Sequence, residues 1–299
     1  MTTLAYYVVD VFTGRSFAGN PLAVVLGAED LNSAQLQALA REFNLSETAF
    51  PLRPSAIESA RGVDYRLRIF TPVTELPFAG HPSVGAAWVL RKLGWFDAQD
   101  VTQGCGEGDL PLVVSPSGAE LTGGRPCASG PIDSADALAA VGLCHDDLDA
   151  ALGAPPRVCG TGISFAVLPV RPDALARCDP DPVGLRAFAH PISDATGVYV
   201  VAWDGSTATA RARMFAGDIG VPEDAATGSA ALALGVWLAV SDLVSDGSFA
   251  YTVLQGIEMG RPSRLECVLE VGDGAVRSVR VRGDVVEVAH GQIAIPRLN

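Results

Sequence analysis

Apolar residues recur along this chain in short runs rich in Val, Phe, Tyr and Leu, broken by Gly, Pro, Asp and Ser. Residues 6–12, 22–26, 48–52 and 65–70 read as strands, and the pattern resumes at 164–170, 198–203, 209–215, 249–254, 264–271 and 276–281. Residues 33–43 change period: Leu36, Leu39, Ala40 and Phe43 fall on one helical face, with Asn32 placed to cap it. Two further helices are predicted over 82–93 and 229–241, and their apolar positions run all the way round the axis. A helix apolar on every side is buried on every side, so these two belong inside a wrapping of sheet. Too many strands follow one another directly for a doubly wound sheet, which alternates strand and helix.

The pattern also repeats. RIFTPVTELPFAGHPSVGAAWVL (68–90) and RMFAGDIGVPEDAATGSAALALGVWL (213–238) share an Arg-x-Phe strand end. Each continues through a loop whose acidic residue stands five before a glycine (Glu75 to Gly80, Glu223 to Gly228) into an apolar helix. The second copy carries about three extra loop residues. GGRPCASGPID (123–133), dense in Gly, Pro and Ser, is the predicted linker between the halves.

Composition narrows the function classes. With 48% hydrophobic and 18% charged residues, the 299-residue chain has ample material for a core. Thirty-four acidic against 21 basic side chains give a net charge of −13, which repels phosphate backbones and anionic lipid. Neither nucleic acid nor a membrane is expected as a partner. The apolar stretch 225–241 is shorter than about 20 residues and is interrupted by Thr227, Gly228 and Ser229. No basic lead or cleavage site opens the chain, and the six cysteines form no C-x-x-C pair, so a cytoplasmic protein with reduced thiols is expected.

The candidate chemistry lies at the two glycine loops. A buried helix start presents unpartnered N–H groups at the positive end of the helix dipole, which lets an acidic protein hold a small carboxylate. Gly80 and Gly228 allow close backbone approach, and Pro82 suits a first helical turn. His81 stands at the first start, as a cap or as a proton-transfer group; Ser229 stands at the second, as a cap or as a hydroxyl for a ligand. Asp224 belongs to the second loop. Glu47, in NLSETAF, is an exposed helix-end carboxylate by default; buried, its pKa would rise and it could both take and give a proton. The run Cys144–His145–Asp146–Asp147 reads as a polar helix start, since consecutive ligands do not converge on a metal, and no metal is expected. Nucleophile-elbow, Walker A, H-E-x-x-H and dinucleotide fingerprints are all absent.

Five segments in order, FAGNPLAVV (17–25), NLSETAF (44–50), FTPVTELPFAGHP (70–82), EDAATGSA (223–230) and LQGIEMGRPS (254–263), make the chain resemble the PhzF-like family of phenazine-biosynthesis isomerases. The resemblance implies an α+β fold like diaminopimelate epimerase, in which two similar domains each wrap a β-barrel-like sheet around a central apolar helix, with the active site in the interdomain cleft. The domains would be 1–125, with 285–299 returning to it, and 130–284. It further implies a homodimer that needs no cofactor, and a small anionic substrate. Glu47 then matches the general acid/base, His81 and Asp224 its polar catalytic partners, Ser46 and Ser229 substrate-contacting hydroxyls, and Gly80 and Gly228 donors of loop N–H groups. The implied reaction moves a proton on trans-2,3-dihydro-3-hydroxyanthranilate. Alternatives are a PhzF-like isomerase or epimerase for another small amino or hydroxy acid, and a non-catalytic binding protein on the same fold. Related racemases use two cysteines; neither glycine loop has one, which disfavours two-thiol chemistry.

Overall fold

The computed structural model describes residues 3–189, 195–217 and 222–297. The chain divides into two compact units, Met1–Thr122 with Arg282–Asn299, and Gly123–Val281. The first contains β1 (Thr3–Val11), β2 (Asn20–Val25), α1 (Ser33–Phe43), β3 (Glu47–Leu52), α2 (Ala56–Ala60), β4 (Tyr65–Phe70), β5 (Glu75–Leu76), α3 (Gly80–Lys92), β6 (Asp100–Cys105), β7 (Gly108–Val114) and β8 (Gly118–Thr122). The second contains β9 (Cys127–Pro131), α4 (Ala135–Ala140), β10 (Arg157–Gly160), β11 (Ser164–Pro169), α5 (Pro182–Ala189), β12 (Gly197–Asp204), β13 (Thr209–Phe215), β14 (Glu223–Asp224), α6 (Gly228–Val240), β15 (Gly247–Gln255) and β16 (Ser263–Gly272). The last strand, β17 (Ala275–Ala294), contributes residues to both.

In the first unit eight strands close a ring, β1–β2–β3–β4–β6–β7–β8–β17 and back to β1. Closure demands a close approach at the seam: a Cβ on Gly118 would lie 1.9 Å from the Gly283 carbonyl oxygen, so only glycine fits. Helix α3 fills the ring, packing on β1, β2, β3, β7 and β8. Ten of its 13 residues are buried, from Gly80 through Leu90 with only Trp88 partly exposed. The amphipathic α1 stays outside, burying Leu36, Leu39 and Ala40 against Phe50 and Phe70.

The second unit repeats this order. β10–β11, β12–β13 and β15–β16 are antiparallel pairs, while β11–β12 and β13–β15 are parallel, as β2–β3 and β4–β6 are in the first. α6 takes the place of α3, buried without interruption from Gly228 to Leu238 and packed on β9, β10, β11 and β16. Both central helices are thus sheathed by sheet, as their all-round apolar sequences predict. Among the described residues no helix is long and apolar enough to cross a membrane.

Three expectations need correction. The predicted linker contains a strand: β9 pairs with β10, Cys159 opposite Ala128 and Gly160 opposite Cys127. Its Gly and Pro suit an edge position and its side chains are largely exposed, so it lacks the apolar signal of a core strand. The hairpins β6–β7–β8 also escape the pattern, because Gly104, Gly106 and Gly108 interrupt them. The last strand is 20 residues long, not the six of 276–281; its second part, Val285–Ala294, pairs with β1.

The repeated Arg-x-Phe and acidic-loop signature has a physical meaning in both units. Arg68 forks onto Glu75 at 2.7 Å and lies over the Phe70 ring; Arg213 forks onto Glu223 at 2.7 and 2.8 Å and lies over Phe215. Each pair fixes the short strand that leads into its central helix. The surroundings differ. Glu75 is exposed, whereas Arg213 is buried and also donates to the carbonyls of Leu175 and Cys178. Glu75→Gln is expected to cost less than about 1 kcal/mol. Glu223→Gln, which strands a buried guanidinium, should cost about 3 kcal/mol or more. Denaturant unfolding of the two variants checks the contrast.

Candidate active site

The first unit's candidate site is built where α1 stops. Asn32 accepts the Gln35 N–H in a capping box at the helix start, and Asn44 ends the helix in a left-handed conformation with φ 50°. The chain then turns into β3, whose first residue, Glu47, sits opposite Leu22 of the parallel β2. Glu47 is therefore not an exposed helix-end group: it is buried, with 7% of its surface accessible. Its Oε2 lies 3.4 Å from Nε2 of His81, itself 3% accessible, on the first turn of α3.

The orientation of His81 is set from its other side. Nδ1 lies 3.2 Å from Nδ2 of Asn20, and Oδ1 of Asn20 accepts the Ser46 hydroxyl at 2.9 Å. With its carbonyl oxygen taken by Ser46, the Asn20 amide donates to Nδ1, so the imidazole proton resides on Nε2, the nitrogen nearest Glu47, although the two do not align into a hydrogen bond. Burial drives the His81 pKa down to about 3, so the ring is neutral across the physiological range. The array Ser46–Asn20–His81–Glu47 thus presents a carboxyl group beside a neutral N–H donor.

The start of α3 carries no side-chain cap. Ser83 turns its hydroxyl back to the Ala79 carbonyl and accepts from Gln103, whose oxygen accepts from Tyr65. This buried network braces the first turn, while Gly80 and His81 stand ahead of it with the helix dipole behind them.

The matching helix start in the second unit has the same frame and different chemistry. The start of α6 also lacks a side-chain cap, because the Thr227 hydroxyl donates to Oδ2 of Asp224 at 2.6 Å. Gln255, at the end of β15, donates to the Asp224 carbonyl and to Oγ1 of Thr227, and its oxygen lies 3.3 Å from the Thr227 nitrogen that donates to it. Asp224, Thr227, Ser229 and Gln255 are all buried. Ser229 is the second residue of the helix and not its cap, which leaves its hydroxyl available for another role.

Of the seven residues singled out in the sequence, Ser46, Glu47, Gly80 and His81 meet in the first unit; Asp224, Gly228 and Ser229 meet in the second. Sequence reasoning missed Asn20, Thr227 and Gln255. A signal existed: Asn20 and Gln255 are polar residues at the ends of otherwise apolar strands, each beside a glycine with positive φ, Gly19 and Gly256. The other candidates dissolve into structure. Asp147 accepts the Cys144 N–H and pairs with Arg177, giving the helix-start role expected of that cluster. His190 lies outside the described residues. Burial raises the thiols of Cys105 and Cys267, and lifts Cys178 to about 11 and Cys159 to about 12, so none of these four is a thiolate near neutral pH. A groove of about 960 Å³ between Pro155, Pro169 and Arg171, lined also by His145 and Asp146, contains none of those seven residues.

A family model described as phenazine biosynthesis-like protein matches residues 9–291, almost the whole chain. The chain belongs to this PhzC–PhzF family. Within it, the chain is 35% identical to an uncharacterized isomerase of Mesorhizobium japonicum, covering 99% of this chain and 100% of the relative. It is 34% identical to the trans-2,3-dihydro-3-hydroxyanthranilate isomerase of Pseudomonas aeruginosa, covering 96% and 98%. A Bacillus anthracis PhzF-family crystal structure superposes with a TM-score of 0.84 at 24% identity, covering 99% and 100%. A proline racemase from Agrobacterium radiobacter, at 12% identity and TM-score 0.69 over 98% and 93%, shares the fold alone. This PhzF-family member is an isomerase with the epimerase-like α+β fold.

The buried neutral imidazole has a consequence for stability. The unfolded chain protonates His81 near pH 6.5, whereas the folded chain resists until about pH 3. Between these values the unfolded state holds more protons, so stability rises with pH and falls on acidification, by up to about 1.4 kcal/mol per pH unit from this group. In His81→Gln the slope of unfolding free energy against pH should flatten by about one proton over that window, as read from denaturant titrations at stepped pH.

Proposed function

We propose that this isomerase moves a proton between two carbons of a small cyclic amino acid, with Glu47 as the single group that removes and returns it. The observation that carries the reading is the buried approach of Glu47 to His81, Oε2 to Nε2 at 3.4 Å. A carboxylate in such a setting is shielded from water and held against a neutral donor, which suits a base that must later act as an acid.

The substrate class follows from the helix starts and the resemblance together. Uncapped N–H groups at Gly80 and at Gly228 favour a carboxylate, and they do so without surface lysines or arginines in a chain of net charge −13. Trans-2,3-dihydro-3-hydroxyanthranilate is the substrate we assign. Glu47 takes the proton from the hydroxyl-bearing ring carbon; the electron pair delocalises through the ring. The same carboxyl then delivers the proton to the carboxyl-bearing carbon, and the enol tautomerises to the aminoketone. His81 stabilises the ionised form of Glu47 and steers the proton, and Asp224, held by Thr227, and Ser229 are the polar ligand-contacting groups of the second unit. Ser46 acts through Asn20 to hold the His81 ring. The reaction transfers a proton with no net oxidation, so these side chains suffice and no electron carrier is called for. The reading further takes the enzyme as a cytoplasmic homodimer.

A second reading, action on another small amino or hydroxy acid, draws on the 35% identity to an isomerase of unstated substrate. It uses the same Glu47 chemistry and differs only in what the helix starts hold.

Incubation with the dihydro acid in heavy water tests both. Wild type should place solvent deuterium in the product, and Glu47→Gln should lose about 100- to 10,000-fold in turnover. Equal turnover by both proteins removes Glu47 from the mechanism. Exchange into a different acid, with the dihydro acid inert, selects the second reading.

A further inference from the structure

The loop between β1 and β2 holds two phenylalanines in the left-handed region, Phe12 at φ 64° and Phe17 at φ 62°, a conformation that bulky residues avoid. For Phe12 the reason is plain: the ring is fully buried, and a Cβ on Gly283 would lie 2.1 Å from it. Phe17 has no such return, because 76% of its surface is accessible, the largest value among the exposed large apolar side chains. Of the other non-glycine residues with positive φ, Asn44, Asp242 and Asp273 are of the types that tolerate it, and Ala208 carries only a methyl group.

The fold nevertheless fixes Phe17 in place. Its N–H donates to Oδ2 of Asp10 at 2.6 Å, and Asp10 is 2% accessible. Three residues on, Asn20 is held in register opposite Val11 and orients His81. Gly19 between them has φ 66° and no room for a Cβ, which would meet the Val11 carbonyl at 2.3 Å. Both ends of a three-residue span are thus anchored, so the Cα of Phe17 lies within about 11 Å of that of Asn20. A strained backbone that holds an apolar ring in water, three residues from the Asn20 that orients His81, points to a ligand that covers the ring.

We propose that Phe17 is a specificity-determining residue: its ring packs on the apolar face of the substrate ring, and Asp10 is the positioning residue that holds it there. The inference rests on Glu47 marking the reaction centre. It adds a selection for rings over open-chain acids, which the helix starts, reading only a carboxylate, do not make.

The test uses 3-hydroxyanthranilate, the stable aromatic counterpart of the assigned substrate, as a calorimetric probe with the full-length protein. Phe17→Ala should weaken binding about tenfold, while Phe17→Tyr, which keeps the ring, stays within about threefold of wild type. Thermal unfolding confirms that both variants fold. An acyclic hydroxy amino acid such as serine, binding through its carboxylate, should show no difference between wild type and Phe17→Ala. Equal affinity of wild type and Phe17→Ala for the aromatic probe, or no binding by wild type, overturns the proposal. So does a change in sedimentation with affinity unaltered, which would make Phe17 a subunit contact. Failure of the acid/base reading registers in deuterium exchange by Glu47→Gln, and failure of this one in the affinity of Phe17→Ala.

Discussion

Enclosing a whole helix in a sheet barrel creates a problem that governs the rest of this structure. The first-turn N–H groups of α3 and α6 cannot turn to bulk water as they would on a surface helix, and neither helix has a side-chain cap. Their positive ends are balanced by groups from distant parts of the chain: Glu47 and Asn20 converge around the start of α3, and Gln255 braces the start of α6. A position that needs negative charge and polar partners for structural reasons is already close to one that binds an anion and moves a proton.

The two units solve this with one frame and two fillings. Both use an arginine fork onto a glutamate to fix the short strand before the helix, and both follow it with a glycine as the first helical residue. After that they part. The first unit continues with His-Pro and faces a glutamate, a pair suited to proton transfer; the second continues with Ser-Ala and faces an aspartate locked by a threonine hydroxyl, a set suited to holding polar groups. The two frames match, and the side chains that fill them differ.

Much of this was legible along the chain. All-round apolar sequence marked α3 and α6 as interior helices, because no exposed face could be solvated. The Arg-x-Phe repeat and the matching glycine loops marked the frame twice over. The edge strand β9 was not legible, since its Gly and Pro carry turn chemistry and its side chains stay in water. Nor was the length of β17, whose second part mixes Glu287, His290 and Gln292 with alanine and glycine and is made a strand by pairing with β1.

What the sequence determined by itself, then, was local: which segments are apolar enough to be enclosed, where each helix begins, and which titratable side chains stand near those starts. Burial of Glu47, the tautomer of His81 and the role of Asn20 came only with the tertiary structure. Each depends on a contact across many residues, 20 with 46 and 81, or 47 with 81. A carboxylate at the end of a helix reads the same whether it faces water or a neighbouring strand. The parallel pairing of β2 with β3, set by the barrel as a whole, decides which it is.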